Sequence, residues 1–177
     1  MKKFLILLSA LTMAIGLTAC SGNDETKTDK KENKEEAAAT KSDVKKELVK
    51  FYMDLGNKIN AKDADLNAYV AKATKEDAKP EELPTAEDKA KASEAAAAVA
   101  TELNNYQVPA ELNDKKADLE SAIKDYAASY QTKADELKKD VPNLDAASAS
   151  LTQAEEKLGK VFESEKLLPP SLDKQVN

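Results

Sequence analysis

The chain is 177 residues long, contains no histidine, tryptophan or arginine, and carries one cysteine, Cys20. Its 27 lysines against 33 acids give a formal charge of −6 at pH 7, which opposes binding to phosphate backbones, so nucleic acid is not an expected partner. Without histidine or a second cysteine the usual general base and the zinc, haem and iron–sulfur ligand sets are missing, and Gly16, Gly22, Gly56 and Gly159 form no phosphate-binding loop. No catalytic residue, metal or cofactor is expected.

In chain order, Lys2 and Lys3 are followed by fourteen uncharged residues, 4–17, reading FLILLSALTMAIGL. A spanning helix needs about 20 apolar residues, so this run is short for a membrane span and has the length and flanks of a secretory signal. It ends in Leu17-Thr18-Ala19-Cys20. The stretch resembles a bacterial lipoprotein signal, whose lipobox is a leucine, two small residues and a cysteine, and all four positions match. The resemblance covers residues 1–20. It implies a signal peptide at residues 1–19, cleavage between Ala19 and Cys20, and a diacylglyceryl group with palmitate-type chains on the Cys20 thiol. An ordinary secreted protein with a chance cysteine is the alternative. A nucleophilic thiol would need a neighbouring base such as histidine, and there is none. Each buried methylene contributes about 0.8 kcal/mol, and two acyl chains hold where one is marginal. The expectation is a protein on the extracytoplasmic face of the cell membrane, lipid-anchored without spanning it. Loss of the signal would leave 25 lysines against 33 acids, a charge of −8.

After the cysteine, residues 21–41 contain five lysines and six acids but no aromatic and no aliphatic larger than alanine. Such a segment buries too little to order itself, so residues 20–41 read as the lipidated cysteine and a flexible tether. As a coil, the 21 residues span about 25 Å. Helix formers between residues 35 and 40 allow extra turns on the helix that follows.

Residues 42–177 read as the folded body, an all-α antiparallel up-and-down bundle of about four helices with an extended tail. Val44, Leu48, Phe51, Leu55 and Ile59 make the first stripe, continued by Leu66, Tyr69, Val70 and Ala73. Whether one helix runs through residues 60–65 is left open by the pattern. Pro80 and Pro84 break it, and Thr85 with Asp88 forms a capping box for a second helix with the face Ala92, Ala96, Val99, Ala100, Leu103 and Tyr106. After Val108-Pro109 comes the most regular seam: Leu112, Lys116, Leu119, Ile123, Tyr126, Tyr130, Lys133 and Leu137. Beyond Pro142 a fourth stripe runs through Leu144, Ala147, Leu151, Ala154, Leu158, Val161 and Phe162. The tail carries Leu167, Leu168, Leu172 and Val176 around Pro169-Pro170. It is expected to fold back over the open end of the bundle, with Leu167, Leu168 and Leu172 as the cover, rather than to serve as a docking peptide.

Two local patterns invite a site. Asp63, Asp65 and Asn67 occupy the first, third and fifth positions of a calcium loop, yet Ala68 stands where the sharp turn needs glycine and Thr74 where the bidentate glutamate belongs. A helix break or cap is the reading instead. Tyr126 and Tyr130 lie one turn apart; they are read as core, not as a stacking platform for a sugar. Pairs such as Glu155 with Lys157 and Glu136 with Lys139 are read as solvated faces. The functional expectation is a non-catalytic binding or spacer module, its extracytoplasmic protein or cell-wall partner unknown. A solute-binding accessory for a transporter is the first alternative, and an enzyme built on carboxylates the second. No binding residue can be named from the sequence.

Overall fold

The computed structural model describes the backbone of residues 32–176 and the side chains of residues 43–176, so the signal segment, Ala19, Cys20 and the first part of the tether lie outside the described residues. Among those residues there is no strand. They form six α-helices, α1 (Glu32–Asn60), α2 (Ala64–Ala73), α3 (Ala86–Asn104), α4 (Lys116–Glu136), α5 (Asp145–Ser164) and α6 (Leu172–Gln175), with short 3₁₀ turns at Pro80–Glu82 and Ala110–Lys115. The all-α expectation holds. The count differs, because the first amphipathic segment is two helices and the tail contributes a short one.

α1 begins at Glu32, so the last ten residues of the segment read as tether continue the helix. Its inward stripe is the expected one: Leu48, Phe51, Leu55 and Ile59 are all buried. The helix stops at Asn60, where Lys62 and Asp63 both direct their N–H groups to the Ile59 carbonyl at 2.9 and 3.1 Å. That doubled bond tightens the chain and sends α2 off on a new axis, which packs on α3. α2 ends at Thr74, whose hydroxyl donates to the Val70 carbonyl at 2.8 Å.

The capping box at α3 forms as read. Asp88 N–H donates to Thr85 Oγ1 at 3.1 Å, and Thr85 N–H returns to Asp88 Oδ2 at 2.8 Å. With Lys72 Nζ at 2.9 Å as well, these bonds, the Thr85 N–H first among them, hold the Asp88 carboxyl down at about 2. The alanine face of α3 is buried throughout, and α4 packs against it on one side and against α5 on the other. Two buried serines pin these contacts: Ser93 Oγ donates to the Ala134 carbonyl at 2.7 Å, and Ser129 Oγ to the Ala147 carbonyl at 2.8 Å. α1 joins through ring contacts, Phe51 on Tyr106 at 5.7 Å and Tyr52 on Phe162 at 6.1 Å, both edge-to-face.

α5 ends in a Schellman turn. Lys166 N–H donates to the Glu163 carbonyl at 2.8 Å and Leu167 N–H to the Phe162 carbonyl at 3.0 Å. Lys166 occupies the left-handed position, φ 58°, that glycine usually takes there. The chain then lies back along the body as a strap, and Leu172 enters the core with Leu167 and Val176 packed beside it. Leu168 departs from the expected cover: it is 89% exposed, because the turn through Pro169-Pro170 points it away.

Candidate functional site

Cys20 and the Ala19 cleavage position lie outside the described residues, so the site is sought in the helical body. The strap is held there by side chains from α1 and α5, with Tyr126 of α4 bracing the α5 one. Glu155 Oε1 accepts from the Tyr126 hydroxyl at 2.8 Å, from Leu172 N–H at 2.8 Å and from Asp173 N–H at 3.1 Å. One carboxylate thus caps α6 and ties it to the core. Glu155 is not the solvated partner of Lys157 that the sequence suggests: it turns toward the strap, and Lys157 pairs with Asp125 at 2.6 Å. Glu136 and Lys139 do pair at the surface. The Tyr52 hydroxyl donates to the Ser171 carbonyl at 2.9 Å, and Asn60 Nδ2 to the Gln175 carbonyl at 3.3 Å.

Both glycines among the described residues lie beneath this strap. A Cβ on Gly159 would stand 3.3 Å from the Pro169 Cβ, and one on Gly56 would stand 3.0 Å from the Gln175 side chain. Glycine in a helix interior costs roughly 1 kcal/mol relative to alanine. Here it lets the strap approach the helix backbone.

The calcium-like pattern is taken apart by the fold. Asp65 and Asn67 fall on α2 rather than on a loop, and Asp63 turns inward, 1% exposed. Among the described residues no group of three or more Asp, Glu, His or Cys is placed to hold a metal ion. Tyr126 and Tyr130 are both core residues, and burial raises both phenols above their ordinary range.

Asp63 is the anomaly. The donors its carboxylate meets are the Asn67 amide and its own N–H, neither of them in full hydrogen-bond geometry. Burial pushes its carboxyl upward; the neighbouring Asn67 amide, its own N–H and the Lys133 charge offset only part of that rise. Lys133, one of the seam residues, lies largely inside the body with its ammonium 4.7 Å from the centre of the Tyr130 ring. Burial lowers its pKa, against the fields of Asp173 and Asp63. Gln175 Oε1 is likewise buried without a hydrogen-bond partner among the described residues. An acid pushed up and an amine pushed down, around one phenol, is the kind of environment found at functional sites.

No family model, no curated protein and no solved structure matches this chain.

The reading therefore rests on the residues themselves. A signal for Asp63 was present in the sequence: it stands four residues after Ile59 and three before Leu66, in phase with the apolar stripe. Hydrophobic pattern alone passes over a charged residue at such a position. Glu155 gave no comparable signal, since its partners come from 17 and 18 residues further on.

Proposed function

We propose that this protein is a membrane-anchored extracytoplasmic lipoprotein whose helical body acts as a non-catalytic binding or spacer module at the cell surface. The observation that carries this reading is the order of Lys2 and Lys3, an uncharged apolar run, and Leu17-Thr18-Ala19-Cys20 with the only cysteine. Cleavage before Cys20 and diacylglyceryl transfer to its thiol would fix the chain to the membrane by two acyl chains. Among the described residues no helix is long and apolar enough to cross a membrane.

The segment after Cys20 raises the body from the bilayer, and the start of α1 extends that reach: residues 32–43, ahead of the first core contact at Val44, run about 18 Å at 1.5 Å per residue. The long helices act as one up-and-down bundle; the packing of α4 on both α3 and α5 supports this arrangement. The carboxylate-enzyme reading requires two acids converging with raised pKa values, and among the described residues Asp63 is the one acid pushed upward.

One observation favours the solute-binding form of the module over a plain spacer. A spacer has no use for a buried carboxylate as poorly paired as Asp63, because such a group costs stability. Fractionation of cells expressing wild type and Cys20→Ser tests the anchor. Wild type is expected in the membrane and detergent phase, the variant in neither; equal partitioning of both would sink the lipoprotein reading.

A further inference from the structure

Room for a ligand opens where α3 ends. The helix stops at Asn104, and the chain runs on without regular structure through Tyr106 and Gln107 to Pro109. Tyr106 pins this link: its N–H donates to the Leu103 carbonyl at 3.2 Å and its hydroxyl to Asp54 Oδ2 at 2.8 Å. Its ring meets Phe51 edge-on at 5.7 Å, and Val108 is buried just beyond. Between the link and α4 lies a groove of about 280 Å³. Leu103 and Ile123, 1% and 4% exposed, supply its apolar floor, and Tyr106 lines it as well.

The rest of the lining is polar and has nothing to bind. Asn104, Gln107 and Lys124 are exposed, and their side chains have no hydrogen-bond or ion-pair partner among the described residues. Glu120 and Lys124 stand at the i, i+4 spacing, in the order that favours an ion pair. Yet Glu120 leans back toward Lys116 at 3.7 Å and leaves Lys124 unpaired. The groove between α4 and α5 is different, because Lys115 and Lys157 there are already taken by Glu165 and Asp125 at 2.7 and 2.6 Å.

The open set selects a ligand class. A bare anion is drawn to Lys124 and repelled by Glu120; a bare cation meets the reverse. An amino acid would answer these two charges and leave both amides idle. Each amide offers a donor and an acceptor, and a hydroxyl group answers both from one atom. A sugar ring carries hydroxyls around its edge and C–H groups on its faces. Its edge serves the polar rim while a face covers Leu103, Ile123 and the phenol ring. Ligand pockets run from about 300 to 1,000 Å³, so this groove, at the small end, seats a single ring.

We propose that the groove lined by Asn104, Tyr106, Gln107, Glu120 and Lys124 binds one ring of a neutral saccharide. This rests on the binding-module form of the function given above. Glu120 accepts from ring hydroxyls, Lys124 donates to them, and Asn104 and Gln107 do both.

The test follows amide NMR shifts of the isotope-labelled full-length protein, held in a detergent without a sugar headgroup. The probes are glucose, galactose, N-acetylglucosamine and the linear tetramer of N-acetylglucosamine, with glycine and sodium phosphate as charged controls. At least one sugar is expected to give saturable shifts at millimolar concentration, confined to residues 103–107 and 120–124. Gln107→Ala and Glu120→Ala should each weaken that binding by about tenfold or more. Both positions are exposed, and unchanged shifts elsewhere show that each variant is folded. Lys160→Gln, in the neighbouring groove, should leave binding unchanged. A tetramer that binds more tightly than its monomer marks a wall glycan as the source; equal affinity marks a free sugar, and the site stands in both cases. No saturable shift with any sugar overturns the proposal, as do shifts centred elsewhere or binding that survives both alanine substitutions. Equal shifts from glycine or phosphate also overturn it, since charge and not hydroxyls would then be recognised. Detergent-phase partitioning of the same samples reads the anchor separately, so failure of the site and failure of the lipoprotein reading are told apart.

Discussion

Replacing Leu172 by alanine tests whether the C-terminal strap is part of the fold. The side chain is 1% exposed and lies in the core, with Leu167 and Val176 packed alongside. Core leucine-to-alanine changes cost about 2–5 kcal/mol, less where the surroundings can collapse into the space. The strap is a chain end and can settle inward, so the lower half applies, about 3 kcal/mol. The bonds from Leu172 and Asp173 N–H to Glu155 are made by backbone and survive the substitution. For a body of this size each kcal/mol moves the melting point by about 2–4 °C, which sets the expected fall at about 6–12 °C. Removing residues 167–177 should cost more. Glu155 would keep only the Tyr126 hydroxyl among its described donors, and Tyr52 would lose its acceptor. Thermal and urea unfolding followed by circular dichroism measure both, with dye binding as a check on the uncovered core. If the alanine variant and the truncated chain both unfold at the wild-type midpoint, the strap is a free docking peptide and the packing account fails.

Ile123, 4% exposed on the α4 seam, should not tolerate a charge: Ile123→Asp is expected to cost several kcal/mol, and a helical spectrum with an unchanged midpoint would contradict the core as described. Lys166→Gly should stabilise by about 0.5–1 kcal/mol, since the residue already stands at φ 58° in a Schellman turn; a loss in urea unfolding would count against strain there. Asp63 and Asp88 set opposite pH dependences. Asp63, raised above its ordinary 3.8, contributes stability when protonated and loses it as pH rises through its folded value, so the melting-point advantage of Asp63→Asn should grow from acid toward neutral pH. Asp88, lowered to about 2, contributes above 3.8 and loses its contribution as pH falls through about 2, so Asp88→Asn should narrow its gap to wild type in acid. Melting curves across pH check both signs.

The seam of α4 shows how far periodicity carries. Leu119, Ile123, Tyr126, Tyr130 and Leu137 are all buried where the alternating spacing put them. Lys116 fails because α4 begins there: Leu112 sits on the preceding 3₁₀ turn, so the phase restarts and the lysine points outward. Lys133 keeps the phase by burying its stem and laying its ammonium on Tyr130. The α3 stripe was equally legible until Tyr106, which lies past the helix end at Asn104 and is only partly buried. What the sequence concealed were the long-range polar contacts. Ser93 and Ser129 look like ordinary surface residues until the helix opposite supplies a carbonyl, and Glu155 looks like half of an exposed pair until the strap arrives. Such partners are fixed by tertiary geometry, and no local spacing announces them. The two helix glycines are similar, since only the returning strap explains why a side chain is unwelcome at 56 and 159.

Mass spectrometry of the N-terminal peptide from the membrane-bound protein decides whether Cys20 is the anchor. The mature chain is expected to begin at Cys20, with a diacylglyceryl group of two long acyl chains on its thiol. A membrane-bound chain that retains Met1, or one that begins elsewhere with the Cys20 thiol unmodified, would contradict it.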